Sequence, residues 1–146
     1  MSLRDPTTKM SKSAPDPKSR VLVTDSPEAI RSKIASAVTD SVSGISYSPT
    51  TRPGVSNLIE IYAQMVNRKD FEKVAEEFSS AGFSMKELKA TAAEAVAEGL
   101  AGIRREYEKI VEDKAYLDNI AKTGADRAEE SAQPTMQRVK KALGLI

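Results

Sequence analysis

Five consecutive residues, Lys9-Met10-Ser11-Lys12-Ser13, carry side chains suited to an anion. Two ammonium groups stand three positions apart on a loop, so both can turn toward one polyanion. The serine hydroxyls and loop amides add hydrogen bonds. A phosphate chain whose charge grows and shifts during reaction is the kind of group such a loop stabilises. A solvated basic loop is the plain alternative. Elsewhere the reactive inventory is narrow, because the 146 residues include no His, no Cys and no Trp. Without thiols there is no disulfide framework and no thiolate zinc site. Without imidazole there is no histidine base or ligand. Chemistry therefore falls to Lys, Arg, Ser, Thr, Tyr, carboxylates or backbone, and no metal site is expected. Lys plus Arg total 22 and Asp plus Glu 21, for a net charge of +1. That balance argues against a generic nucleic-acid binder, which is normally strongly basic, while leaving room for a local patch. One such patch is Arg138, Lys140 and Lys141, within residues 131–146, which contain no acid. Arg138 and Lys141 share a helix face. They suit phosphate contact or a solvated helix end favoured by the helix dipole.

The elements that must position these groups are helical. A chain of this length buries roughly 70% of its unfolded surface, enough for an independent core. With 40% apolar and 29% charged residues it fits a soluble globular protein. No run approaches the ~20 apolar residues of a membrane span, so no membrane partner is expected. Pro6, Pro15 and Pro17 forbid a helix over residues 1–25. This segment is an ordered loop or a disordered arm, and the stretch around Lys9 and Lys12 is expected to be mobile or held by whatever it contacts.

From residue 26 the signals are those of an all-α bundle. Ser26-Pro27 is an N-cap followed by proline in the first helical turn, leading into Ile30, Ile34, Ala37 and Val38. Residues 39–54 are rich in turn formers and read as a long loop. Leu58, Ile59, Tyr62, Met65 and Val66 mark the next helix. Asp70 is the expected cap of another, with Phe71, Val74, Ala75 and Phe78 on one face and Gly82 closing it. Ser84-Met85-Lys86-Glu87 fits a capping box. The apolar residues that follow, from Leu88 to Val111, predict a single helix of about 28 residues, roughly 40 Å long. Gly99 and Gly102 weaken its middle or permit close approach of a neighbour. A short helix over Tyr116–Ala121 is expected to stop at Gly124. A last one, from Ala125 to Leu143, is expected to kink at Pro134. All of these stripes are read as core.

Beyond the Lys9–Ser13 run, the chain resembles the C-terminal part of the class I aminoacyl-tRNA synthetases specific for tryptophan, from one end to the other. The segments that carry the resemblance are Met1–Thr7 leading into Lys9, Asp25–Glu28 with Ile30, Ala37–Ser41, Arg52-Pro53-Gly54-Val55-Ser56-Asn57-Leu58, Tyr116-Leu117 and Gly144-Leu145. The resemblance implies part of a ligase that activates L-tryptophan with ATP and Mg2+ and transfers it to the tRNA for tryptophan. Lys9, Met10, Ser11, Lys12 and Ser13 then form the ATP-binding signature loop. Lys9 and Lys12 are its catalytic cations on the pyrophosphate leaving group, Lys12 foremost. The family often has an acidic residue after the motif, where this chain has Ala14.

The same resemblance divides the chain into residues 1–25, a signature-loop segment belonging to the catalytic domain, and residues 26–146, a helical anticodon-binding domain. In the latter Arg138, Lys140 and Lys141 are candidate tRNA contacts. The family's Rossmann domain carries a histidine motif that this chain lacks, so the 146 residues read as a fragment inactive by itself. The whole enzyme is expected to be a homodimer and the fragment a monomer. The resemblance is to the bacterial-type branch, which leaves bacterial cytoplasm and mitochondrial matrix both open. Two other readings compete: a tyrosine-specific relative, and a non-catalytic helical interaction module with an inert lysine-serine run.

Overall fold

The computed structural model describes all residues from Met1 to Ile146. Six helices follow in order: α1 Pro27–Ala35, α2 Pro53–Met65, α3 Phe71–Ser80, α4 Met85–Gly99, α5 Ala101–Glu112 and α6 Lys114–Ala142. There are no strands, as the all-α reading required. The chain divides into two compact units, Met1–Arg104 and Arg105–Ile146.

In the first unit α4 packs against α1 and α2, and α3 packs against α2. The core is built from Ile30 and Ile34 of α1, Val55, Leu58, Ile59 and Ala63 of α2, Val74, Ala75 and Phe78 of α3, and Leu88, Ala92, Ala93 and Val96 of α4. Each large aliphatic side chain buried in this way stabilises by about 1.5–3 kcal/mol. The helix starts follow the cap chemistry. The Ser26 hydroxyl accepts from the Ala29 amide at 3.2 Å. At α4 the box is complete: the Glu87 amide donates to Ser84 Oγ at 3.3 Å, and the Ser84 amide donates to Glu87 Oε2 at 2.7 Å. Asp70 stands at the start of α3 but makes no side-chain cap bond. Its carboxylate is held by the Arg68 guanidinium at 3.0 and 2.7 Å, a two-point ion pair that outcompetes neutral amides.

Three expectations are corrected. First, the predicted helix over residues 84–111 is two helices. They divide at Leu100, between α4 and α5. A Cβ on Gly99 would lie 2.9 Å from Met65 Sδ, whereas one on Gly102 meets nothing within 4 Å. Close approach therefore explains Gly99 alone. Second, Gly124 stops nothing. α6 runs through both Gly124 and Pro134, because one exposed glycine costs only about 1 kcal/mol in a helix of good helix formers. The glycines that terminate helices are those with left-handed backbone, Gly82 at φ 71° and Gly144 at φ 70°. Third, the apolar residues of α5 and α6 are not core. Ile103, Tyr107, Ile110, Leu117, Ile120, Met136 and Val139 are all exposed, and α6 buries no residue. Periodicity shows that a helix has an apolar face but not what the face meets.

The loop between α1 and α2 is organised from its far end. Arg52 is 7% exposed. It donates to both Asp40 carboxylate oxygens at 3.0 and 2.8 Å, to the Val42 and Gly44 carbonyls at 2.9 and 3.1 Å, and to Ser46 Oγ at 2.8 Å. One planar guanidinium thus holds four points of a loop that has no secondary structure of its own.

Candidate phosphate-binding loop

Residues 1–20 are an ordered loop docked on the helices, which removes the disordered-arm alternative. Leu3 is 1% exposed and belongs to the core, and Ser2 and Ser19 are buried. The contacts of residues 1–25 place them inside the first compact unit, Met1–Arg104.

Two backbone hydrogen bonds close the base of the loop. The Leu3 amide donates to the Ser19 carbonyl at 2.9 Å, and the Val38 amide donates to the Leu3 carbonyl at 2.8 Å. Leu3 thus ties the outgoing end of the loop to the residues after α1. Higher up, the Ser2 amide donates to the Thr8 carbonyl at 2.8 Å, and the Thr8 amide to the Asp5 carbonyl at 3.0 Å. Asp5 Oδ1 accepts from the Thr7 hydroxyl at 2.6 Å and its amide at 3.1 Å. These bonds hold the Asp5 carboxyl below the usual carboxylate range. Asp5 is accordingly occupied with its own turn.

The tip carries the five residues of interest. Met10 packs against the core, while Lys9, Ser11, Lys12 and Ser13 are exposed. One inward methionine between two outward lysines fixes the backbone and leaves both cations free. A turn closes with the Ala14 amide donating to the Ser11 carbonyl at 3.2 Å, and Ser11 Oγ and Ser13 Oγ lie 3.1 Å apart. Neither Lys9 nor Lys12 has an acid within ion-pair distance. The acid nearest in sequence after the tip, Asp16, pairs with Arg4 at 3.2 Å. Arg20 steadies the returning limb by donating to the Ala14 carbonyl at 2.8 Å. The loop therefore offers two unpaired ammonium groups and two hydroxyls on a backbone fixed at both ends, the residue types that an oligophosphate requires.

Arg138, Lys140 and Lys141 all lie on α6 and are exposed. Arg138 donates to Thr135 Oγ1 at 3.2 Å, and none of the three is in an ion pair. They belong to the second unit and the loop to the first.

The family model described as tRNA synthetases class I (W and Y) matches residues 1–101. The chain belongs to this family. A tryptophan–tRNA ligase of Prochlorococcus marinus is 39% identical over 146 residues, covering 100% of this chain and 42% of that protein. A chloroplastic/mitochondrial tryptophan–tRNA ligase of Arabidopsis thaliana is 41% identical over 144 residues, covering 99% of this chain and 35% of that protein. A solved tryptophanyl-tRNA synthetase of Mycoplasma pneumoniae superposes with a TM-score of 0.65 at 27% identity, covering 99% of this chain and 44% of that one. The chain thus spans less than half the length of the class I synthetases it matches.

Sequence reasoning missed Arg20 and Asn57 as organisers of the site, and Arg52 as the organiser of the loop between α1 and α2. For Arg52 and Asn57 a signal was present, since both lie in the Arg52–Leu58 segment that carries the resemblance. That segment is explained residue by residue. A Cβ on Gly54 would lie 2.2 Å from the Val38 carbonyl oxygen. Val55 and Leu58 are core. Ser56 Oγ accepts from the Ser48 amide at 2.9 Å. Asn57 reaches Met1 and Ser2.

Proposed function

We propose that this chain is the signature-loop and helical portion of an ATP-dependent tryptophan–tRNA ligase. The observation that carries the reading is the pair of unpaired lysines, Lys9 and Lys12, on a loop fixed at both ends, in a chain whose curated relatives are named for tryptophan. In this reading the Lys9 and Lys12 ammonium groups meet the phosphates of ATP and offset the charge that builds on pyrophosphate as the adenylate forms. The Ser11 and Ser13 hydroxyls and the tip amides orient the same phosphates. The chain offers no group of three or more acidic side chains that could hold a metal ion. Mg2+ that accompanies ATP would be held mainly by the phosphates and water, so it needs no acidic cluster on this chain.

Activation of tryptophan requires surfaces beyond these 146 residues, so the chain alone is inactive. The test places residues 1–146 in register with the matching part of the Prochlorococcus ligase. The purified chain should give no tryptophan-dependent pyrophosphate exchange, and the graft should restore it. Exchange by the isolated chain, or a folded graft without exchange, would refute the reading.

The helical residues recognise the tRNA, with Arg138, Lys140 and Lys141 as phosphate contacts. Changing Arg138 and Lys141 to Glu in the graft should weaken tRNA binding roughly 10-fold or more at low salt. Unchanged affinity removes these residues from the interface.

A further inference from the structure

We infer that Asn57, on α2, is a positioning residue for the signature loop, a role that rests on the phosphate reading of that loop and adds a residue to it. Asn57 is 4% exposed and lies in the second turn of α2, remote in sequence from Lys9 and Lys12. Its side-chain amide is fully engaged with the start of the loop. Asn57 Nδ2 donates to the Met1 and Ser2 carbonyls at 3.3 Å each, and Asn57 Oδ1 accepts from the terminal ammonium of Met1 at 2.8 Å. An asparagine side chain has one acceptor and two donors, so it can pair with an extended backbone as another strand would. Here it does so for a segment that no β-strand accompanies.

What Asn57 holds is connected to the tip by short steps. Ser2 carries the amide that donates to the Thr8 carbonyl, and Ser2 Oγ accepts from the Arg4 and Asp5 amides at 3.2 Å each. Thr8 directly precedes Lys9. The outgoing limb is therefore held to α2 at Asn57 and to the residues after α1 at Leu3. Nothing else bonds Met1 or the Ser2 carbonyl to the helices. α2 is itself fixed against the segment following α1 by the close approach of Gly54 to Val38 and Thr39. Both anchors of the limb thus rest on one rigid junction, and the positions of Lys9 and Lys12 are inherited from it. An apolar side chain at position 57 would leave the buried Ser2 carbonyl and the part-buried Met1 carbonyl without this donor, which disfavours the docked limb.

The experiment uses the 146-residue chain and its Asn57→Ala and Asn57→Leu variants. Leu keeps the branched heavy-atom skeleton, is bulkier and lacks the hydrogen bonds, so an effect shared by Ala and Leu is not due to cavity formation alone. Amide exchange is read at Leu3, Thr8 and Val38, with Leu88 and Ala92 of α4 as controls. Inorganic pyrophosphate is titrated against the amides of residues 9–13. In both variants the loop amides should exchange about tenfold faster while the α4 amides stay within about twofold. Pyrophosphate affinity should fall by about threefold or more, as fewer molecules hold the loop in its competent form. Unchanged loop exchange, or acceleration equal in loop and α4, overturns the inference, the latter because Asn57 would then merely support the whole fold. If the wild-type chain binds no pyrophosphate, the phosphate reading falls, and the exchange contrast still decides whether Asn57 positions the loop.

Discussion

Replacing Gly54 by Ala sets two effects against each other, and the structure decides which wins. In an ordinary helix the change would gain up to about 1 kcal/mol, since glycine is the poorer helix former. Here the added Cβ would stand 2.2 Å from the Val38 carbonyl oxygen, 3.1 Å from its carbon and 3.2 Å from Thr39 Cα. All three atoms are backbone, so no side-chain rotation relieves the overlap. Either α2 moves away from the 38–39 segment or that segment moves. Overpacking of this kind costs about 1–3 kcal/mol, and at a backbone obstacle the upper half applies. We expect a net loss of about 2 kcal/mol. At about 4–8 °C per kcal/mol for a unit this size, the Tm of the first unit should fall by about 10 °C.

Gly99→Ala is the matched control. Its obstacle is Met65 Sδ, the far end of a flexible side chain, at 2.9 Å. Methionine can swing aside, so the change should lie within about 0.5 kcal/mol of neutral. Urea unfolding followed by circular dichroism measures both. A Gly54→Ala protein as stable as wild type, or a Gly99→Ala protein equally damaged, would refute the argument from close approach.

Further outcomes follow from the same contacts. Asp40→Asn strands the buried Arg52 guanidinium and should cost about 3 kcal/mol in urea unfolding. Arg52 holds the Asp40 carboxyl below the usual carboxylate range, so its stabilisation is present above the ordinary Asp pKa and is lost as pH falls below it. A first unit whose stability is flat on acidification would contradict this. Burial first, then the Glu60 carboxylate that accepts from its hydroxyl at 2.8 Å, push the Tyr47 phenol up to about 12. Its contribution is therefore full below the ordinary tyrosine pKa near 10 and fades as pH rises toward 12. Ultraviolet titration should show one late-ionising tyrosine that Tyr47→Phe removes. Ser84→Ala breaks the capping box and should cost about 1 kcal/mol of stability, measured by the same unfolding.

The helices of the first unit were legible because their caps and apolar periods are local. Ser26, Ser84 with Glu87, and the Ile30–Ile34 and Val74–Phe78 faces state their own structure. Where the reading failed, the deciding contact was mostly distant in sequence. Met65 opposite Gly99 cannot be inferred from the residues around the glycine, whereas Arg68, two positions before Asp70, was a local rival to the cap that the pattern did not weigh. The exposure of Leu117 and Val139 cannot be inferred either, because their spacing is that of any amphipathic helix. The loop residues 9–13 were visible by type, but not what fixes them. Asn57 and Arg20 reach the loop through backbone carbonyls, and a bond to a carbonyl leaves no mark in the identity of the residue that accepts it. Pattern finds the groups that meet a ligand more readily than the groups that place them.

The account rests most heavily on Lys12. The direct measurement is tryptophan-dependent pyrophosphate exchange by the graft of residues 1–146 into the Prochlorococcus ligase, with and without Lys12→Ala. Removing one preorganised cation from a developing charge should lower the exchange rate about 10²–10³-fold while the KM for tryptophan stays within about threefold. Lys9→Ala should act in the same direction. Exchange that proceeds at the unsubstituted rate in Lys12→Ala would contradict the claim that this loop stabilises the phosphate charge.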